Sequence, residues 1–142
     1  MVVRVWALAV LTAMSLMGAD EIALIKSIQG DVTLKRGAEI VSLHKGGVVF
    51  ENDIIQTGEK GMIGLSFNDG TLISIGPKSV LVVDTYLFAP SQKKFAFDLT
   101  LHKGTAAFES GRIGKLAPEK VHFKTSQGIV GIRGTKFVVE VE

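Results

Sequence analysis

The chain has 142 residues, a formal net charge of +2, 46% hydrophobic residues and no cysteine. This length fits one domain after a leader, and the apolar content is sufficient for a core, which argues against intrinsic disorder. The nearly balanced charge gives no broad basic field of the kind that attracts nucleic acid. The lack of cysteine excludes disulfides, thiolate nucleophiles, zinc-finger ligands and the lipid attachment of a lipoprotein.

The first residues have the pattern of a signal peptide. Arg4 and the amino terminus supply positive charge, and residues 5–17 carry no charged side chain. Two small residues then precede the acidic Asp20. A permanent membrane helix needs about 20 apolar residues, so this stretch is short for an anchor. We therefore predict a leader at 1–19 and an exported domain at 20–142 with no stable membrane span; an uncleaved amino-terminal anchor is the alternative.

Beyond the leader, glycines separate short segments in which apolar and polar residues alternate, the signature of β-strands. The alternation is clearest in residues 95–102, 120–124 and 136–142, and residues 28–35 show it as one continuous segment. No segment has a convincing helical period. Residues 80–83 are apolar on both faces, which predicts a central strand that is covered on both sides.

The sharpest turn is predicted at Asn68-Asp69-Gly70. A two-residue loop through Asp-Gly and a three-residue loop with Gly70 at positive φ are both compatible with the local sequence. The three-residue loop places Leu65 opposite Ile73, so that apolar residues pair with each other. We therefore predict the three-residue loop.

Short strands separated by turns predict an all-β fold. Two architectures remain open: a β-solenoid-like or twisted β-roll, and an antiparallel β-sandwich or jelly roll. Three evenly spaced glycines in residues 128–134 indicate successive bends. No fixed repeat extends across the whole chain.

The sequence contains no motif for catalysis or for metal binding. His44, His102 and His122 are not at ligand spacing, and the latter two are expected on solvent-facing sides of strands. There is no Gly-x-Ser-x-Gly elbow, supported Ser-x-x-Lys motif or phosphate-binding loop. We predict a protein that is not an enzyme, with no catalytic residues, metal or cofactor, although a spatial pair of acids is invisible to this search.

One segment near the carboxyl terminus combines glycines with a single arginine. Gly131 and Gly134 permit a tight turn, and Thr135 begins the last predicted strand. We predict that Arg133 braces this turn by donating hydrogen bonds to carbonyls at neighbouring strand ends. Binding of a carboxylate or phosphate is the alternative for this side chain.

Four segments resemble the FecR domain family. The strongest is Lys-Thr at 124–125 followed by Val-Gly-Ile-Arg-Gly-Thr-Lys-Phe at 130–137, which is similar to the family signature Val-x-Gly-[Val/Ile]-Arg-Gly-Thr-x-Phe. The others are Gly-Asp-Val at 30–32, Asn-Asp-Ile-Ile-Gln-Thr-Gly at 52–58, and Phe-Asn-Asp-Gly-Thr at 67–71 followed by Ile-Gly-Pro-Lys-Ser at 75–79. One departure is Asn52, where the family usually has glycine; asparagine also tolerates left-handed backbone angles.

The resemblance implies a periplasmic all-β domain, solenoid-like in its relatives. In the founding regulators the domain relays the state of an outer-membrane iron–siderophore receptor to a cytoplasmic sigma factor, through an anti-sigma segment and a transmembrane helix. Only three residues precede Arg4, so a stand-alone domain without the anti-sigma segment is expected. The family brings no catalytic residues. The matching signature residues are therefore expected to form structural turns: Gly131, Arg133, Gly134, Thr135, Asp69 and Gly70.

These features predict a non-catalytic binding, scaffold or signalling module of the cell envelope, located in the periplasm or outside the cell. Its expected partner is an envelope protein or a cell-wall polymer, and not nucleic acid. A sensor of a small anionic ligand or an iron–siderophore is one alternative, because residues 91–142 carry nine basic and five acidic side chains. An envelope hydrolase is the other.

Overall fold

The structure is a computed structural model that describes residues 20–131 and 136–142. These residues are predominantly strand, with one five-residue helix, so the predicted all-β fold is confirmed. The strands are β1 (Ala23–Gln29), β2 (Val32–Arg36), β3 (Glu39–Val41), β4 (Val48–Val49), β5 (Ile54–Thr57), β6 (Met62–Phe67), β7 (Leu72–Ile75), β8 (Val80–Ala89), β9 (Lys94–Glu109), β10 (Val121–Thr125), β11 (Gly128–Gly131) and β12 (Lys136–Val141). The helix α1 spans Arg112–Leu116, and short 3₁₀ turns span Pro90–Gln92 and Pro118–Lys120.

The strands form one curled sheet whose two halves share the long strand β9. Sheet I has the order β4-β1-β6-β7-β9-β12 and uses residues 104–109 of β9. Sheet II has the order β3-β2-β5-β8-β9-β10-β11 and uses residues 94–103. Among the described strands, β9 and β10 pair in parallel and the other pairs are antiparallel. The chain therefore wraps one core with a single bent sheet.

Two glycines at positive φ lie where the chain moves between the two sheets. β9 bends at Gly104, where φ is +96°. Residues 28–35, which the alternation predicts as one strand, are divided at Gly30, where φ is +64°. Because of this turn, β1 ends in sheet I and β2 begins in sheet II. The single-strand prediction was therefore wrong, because period-two alternation continues across a glycine turn without a visible break.

Both sheets bury one face in a common hydrophobic core. The predicted inward positions Phe97, Leu99 and Leu101 of β9 are buried, as are Phe123 and Val139 on later strands. Aromatic rings connect the two sheets at centroid distances of 4.8–6.3 Å, through Phe67, Tyr86, Phe97, Phe108, Phe123 and Phe137. The core is therefore shared and does not divide into separate layers.

The β6–β7 hairpin has the predicted register. Leu65 pairs with Ile73, and Gly70 has φ of +90°. The N–H of Phe67 donates to the carbonyl oxygen of Thr71 at 2.8 Å, which closes a three-residue loop.

Residues 80–83 lie in a central strand as predicted, since β8 lies between β5 and β9. The prediction that both faces are covered was wrong, because Leu81 and Val83 are buried whereas Val80 and Val82 are only partly buried.

Within residues 20–131 and 136–142, no helix has the length and apolar character needed to cross a membrane.

Candidate functional site

The predicted signature residues fall in two parts of the molecule. Asp69 and Gly70 lie in the β6–β7 loop, and Gly131 is the last residue of β11. Residues 132–135 lie outside the described part of the chain. Both hypotheses for Arg133, the structural brace and the anion ligand, therefore stay predictions.

Asp69 is buried at the centre of a hydrogen-bond network. Its carboxylate accepts hydrogen bonds from the Thr71 hydroxyl (2.8 Å), the Tyr86 hydroxyl (2.9 Å) and the backbone N–H groups of Ile113 (3.0 Å) and Thr71 (3.2 Å). The backbone N–H of Asp69 donates to the Tyr86 hydroxyl oxygen at 2.9 Å. This network attaches the β6–β7 loop to β8 and to α1.

Asp53 is a second buried carboxylate, and it accepts hydrogen bonds from donors within the protein. Arg36 donates to it through Nε (3.0 Å) and Nη2 (2.9 Å), and the N–H of Phe50 donates at 2.8 Å. The side-chain hydrogen bond to Asp53 raises the pKa of Arg36. The Arg36 guanidinium carbon also lies 4.3 Å from the centroid of the Phe50 ring. Asn52 has φ of +71°, which confirms the left-handed conformation expected at this position.

A third network joins β5, β8 and the bend of β9. The Thr57 hydroxyl oxygen accepts a hydrogen bond from the N–H of Ser79 at 2.9 Å and donates to the carbonyl of Gly76 at 2.6 Å. The Ser79 hydroxyl oxygen accepts from the N–H of Thr105 at 2.9 Å. These contacts fix the chain directly beside Gly104.

The motifs at 52–58, 67–71 and 75–79 supply buried structural contacts, whereas most of the core of the 130–137 signature lies outside the described residues. Of the residues that the structure describes, the buried polar ones all lie in segments that carry the family resemblance: Asp53, Thr57, Asp69, Thr71 and Ser79. The carboxylates of Asp53 and Asp69 are engaged by donors from the protein itself, as buried charges require. Among the described residues, no three acids or histidines cluster in a way that could hold a metal ion.

The outer face of sheet I carries an uncharged row of small side chains. Successive cross-strand pairs join Val138 to Ala107, Ala107 to Ser74, Ser74 to Gly64, and Gly64 to Ser27. Directly paired residues point to the same side of a sheet. We call this set the small-residue row. It crosses five strands, from β12 to β1.

Apolar side chains and two hollows border the small-residue row. Leu24 and Leu72 lie on one side of it and Met62 on the other, and Val138 at its end is 67% exposed. A hollow of about 390 Å³ lies over β7, β9 and β12, and one of about 260 Å³ lies over β1, β6 and β7. Ser74 contributes to both hollows. Small side chains thus leave space that a partner's larger side chains can fill.

Charged groups adjoin the small-residue row, because Glu109 and Lys136 line the larger hollow beside Leu72. Lys136 and Glu109 form an exposed pair at 3.7 Å, and Lys26 projects from the bulge in β1.

On the outer face of sheet II, one cross-strand row contains Lys35 and Lys124 together with the apolar Ile54, Val82 and Ile129. In the next row, Asp98 contacts His122 at 2.7 Å. The outer face of sheet I differs in having an uncharged row that crosses five strands, and it is the candidate interaction surface.

The family comparison identifies the chain. The sequence profile described as FecR protein matches residues 53–142, which is more than half of the chain. The chain belongs to the FecR family. FecR proteins are signalling and sensing modules associated with the cell envelope, and the family is a regulatory one. No curated protein and no solved structure gives a significant match.

The folded FecR unit extends beyond the matched residues. The match begins at Asp53, yet β1 to β4 precede it in the chain. β1 pairs with β6 in sheet I and β2 pairs with β5 in sheet II. Ser27 of the small-residue row and Arg36, the counter-ion of Asp53, also lie before the match. The first four strands are therefore an integral part of this FecR fold.

The ionisation of Tyr86 provides a test of the buried Asp69 network. Burial, followed by the Asp69 charge, raises the pKa of Tyr86 far above the ordinary value of about 10. The chain has one tyrosine, so tyrosinate absorbance reports on Tyr86 alone. We expect no tyrosinate signal from the folded protein at about pH 11, and a midpoint near pH 10 in denaturant.

The raised pKa of Tyr86 also makes the stability of the folded protein depend on pH. The unfolded chain alone releases the Tyr86 proton above about pH 10, so this contribution to stability is complete below that pH and declines as the pH rises above it. Tyr86→Phe should remove this component of the decline in urea-denaturation midpoints. A tyrosinate midpoint near pH 10 in the folded protein would contradict the buried network.

Proposed function

We propose that this FecR protein is an exported, non-catalytic interaction module of the cell envelope that binds a protein partner through the outer face of sheet I. The observation that carries the proposal is the small-residue row, an uncharged path across five strands with apolar side chains on both sides. Apolar patches of this kind on a soluble domain commonly mark interaction sites. The regulatory character of the family supports an interaction role over catalysis.

The chemistry of the face favours a protein that presents large apolar side chains. Leucine or aromatic side chains of a partner can enter the hollows above Ala107 and Gly64, where this chain has no side chain larger than a methyl group. Filling such hollows buries apolar area at about 25 cal/mol per Å². A cell-wall polymer is less suited, because the row offers only the hydroxyls of Ser27 and Ser74 for hydrogen bonding to sugars.

Two matched arginine substitutions test this assignment. Val138 on β12 and Ile129 on β11 are aliphatic residues of edge strands, with exposed fractions of 67% and 65%. Val138→Arg places a charge on the small-residue row, whereas Ile129→Arg places it on sheet II. Ser74→Arg does the same at the centre of the row, where the side chain is exposed. All three variants should retain wild-type thermal stability, because surface substitutions change stability by about 0.5 kcal/mol or less.

The measurement is quantitative capture of partners from an envelope fraction on immobilised protein. We expect at least one captured protein that wild type and Ile129→Arg retain equally. Val138→Arg and Ser74→Arg should bind this protein about tenfold or more weakly, a loss of about 1.4 kcal/mol in binding free energy. If the row variants retain every protein as well as Ile129→Arg does, the outer face of sheet I is not the interaction surface.

Export is proposed from the leader pattern and supported by the envelope association of the family. Intact-mass measurement on the periplasmic fraction should give a chain that begins near Asp20. A chain that retains Met1 in the cytoplasmic fraction would rule out this location.

A further inference from the structure

A second concave site lies at the opposite end of β9 from the small-residue row. The β8–β9 connection and the segment that contains α1 meet there and enclose a pocket of about 550 Å³. We call it the basic pocket; its lining residues are Pro90, Lys93, Phe95, Arg112, Leu116, Ala117, Glu119 and Lys120. Phe95 is near the start of β9, whereas Ala107 of the small-residue row is twelve residues further along. The two sites are therefore separate.

The charge in the basic pocket is predominantly positive. Lys93, Arg112 and Lys120 contribute three cations against the single carboxylate of Glu119. In the part of the chain that the structure describes, none of these cations lies within 4.0 Å of a carboxylate oxygen. The excess of basic residues in the second half of the sequence is thus partly concentrated around one concavity, where a bound anion can reach several cations.

Local structure restrains the backbone of Lys93 and the guanidinium of Arg112. Lys93 has φ of +54° and its N–H donates to the carbonyl of Pro90 at 3.1 Å, which fixes the backbone at the mouth of the pocket. The guanidinium carbon of Arg112 lies 5.1 Å from the centroid of the Phe88 ring, a cation–π contact that restrains its orientation. A partly ordered guanidinium loses less entropy when it binds an anion.

The remaining wall of the basic pocket is apolar. Phe95 is half-buried, and its ring centroid lies 6.2 Å from that of Phe88. Leu116 is 56% exposed, a large value for a leucine beside a concavity. A simple inorganic anion leaves these groups in contact with water. An anion that carries an apolar or aromatic body covers them while its charge meets the cations.

We propose that the basic pocket binds a small amphiphilic anion, a carboxylate or phosphate on an aromatic or aliphatic body. This ligand site is additional to the protein-binding face, so the domain has the two separate sites that coupling between a ligand and a partner requires. The proposal does not depend on the identity of the protein partner.

The test uses the complete exported chain and probes that separate charge from apolar contact. Benzoate and phenyl phosphate carry both features, acetate and inorganic phosphate carry the charge alone, and benzyl alcohol carries the ring alone. In amide NMR titrations, benzoate and phenyl phosphate should bind with Kd of about 1 mM, as expected for fragment-sized ligands. The shifted amides should centre on Lys93, Phe95 and the α1 segment. The other three probes should bind about tenfold more weakly.

Matched variants assign the two parts of the pocket. Lys93→Gln/Lys120→Gln should weaken benzoate binding about tenfold, whereas Lys35→Gln/Lys45→Gln, which removes two exposed cations elsewhere, should leave it unchanged. Leu116→Ser should weaken benzoate without affecting the residual binding of acetate. Equal effects of the two lysine pairs, or equal binding of benzoate and acetate, would show a diffuse surface attraction and overturn the proposal. An absence of localised shifts with both aromatic anions would also overturn it, whatever the outcome for the protein-binding face.

Discussion

Gly104→Ala is expected to lower the free energy of unfolding by about 2–5 kcal/mol, because a core-overpacking cost of about 1–3 kcal/mol adds to a left-handed backbone penalty of about 1–2 kcal/mol at φ of +96°. A Cβ atom at this position would lie 2.0 Å from Oγ and 2.4 Å from Cα of Ser79. Neither atom can move away easily, because Ser79 is fully buried and forms hydrogen bonds with Thr57 and Thr105. Thermal denaturation should show a fall in Tm on the order of 10 °C or more.

Gly37→Ala supplies the matched control. Gly37 also has a positive φ, +62°, but a Cβ atom there meets no heavy atom within 4 Å. Its substitution should cost only the left-handed backbone penalty of about 1–2 kcal/mol. The difference between the two variants therefore isolates the steric contact at the bend of β9. Equal losses of stability would mean that β9 does not pass this close to Ser79.

This bend also shows why the sequence predicts the strands better than their arrangement. Alternation in residues 95–102 identifies the inward side of β9 correctly, because burial of one face is a local property. The division of β9 between two sheets depends on its contact with Ser79, which is 25 residues earlier in the chain. Such a contact leaves no local periodic signal, and Gly104 alone resembles any other turn glycine.

Tyr86 illustrates a second limit of pattern analysis. Leu81 and Val83 point into the core, and strict alternation would then place Tyr86 on the solvent side. A register shift between Val83 and Thr85 reverses the sides, so that the tyrosine faces Asp69. Bulges of this kind are set by cross-strand pairing, which the sequence of one strand does not contain.

The sequence alone did not predict the candidate interaction face, because that face depends on the order of the strands in the sheet. Gly64 and Ser74 are paired by the predicted β6–β7 hairpin, but Ala107 lies 33 residues beyond Ser74 in the sequence. Only the order β6-β7-β9 places them in one row. The family signature drew attention to other positions, and those that the structure describes serve mainly to hold the sheets together. The described motifs at 52–58, 67–71 and 75–79 thus contribute to structural networks, whereas weakly patterned residues form the candidate surface.

Asp69→Ala is expected to destabilise the protein by about 3–5 kcal/mol, comparably to Gly104→Ala. The substitution leaves the hydroxyl of Tyr86 and the N–H groups of Thr71 and Ile113 without their acceptor. Each buried donor without a partner costs about 1–3 kcal/mol, and water entering the site recovers part of that sum. Urea denaturation followed by far-ultraviolet circular dichroism measures the effect.

Asp31→Ala separates this structural role from the general loss of a motif carboxylate. Asp31 also lies in a segment that resembles the family, but it is exposed, so its substitution should change stability by about 0.5 kcal/mol or less. Asp69→Ala should in addition bring the tyrosinate midpoint of Tyr86 down towards 10, because the neighbouring negative charge and its hydrogen bond are removed.

The network also anchors α1 through Ile113, and α1 provides Arg112 and Leu116 to the basic pocket. Benzoate binding should therefore weaken in Asp69→Ala and persist in Asp31→Ala. Wild-type stability in Asp69→Ala would show that its carboxylate does not hold the loop and helix together.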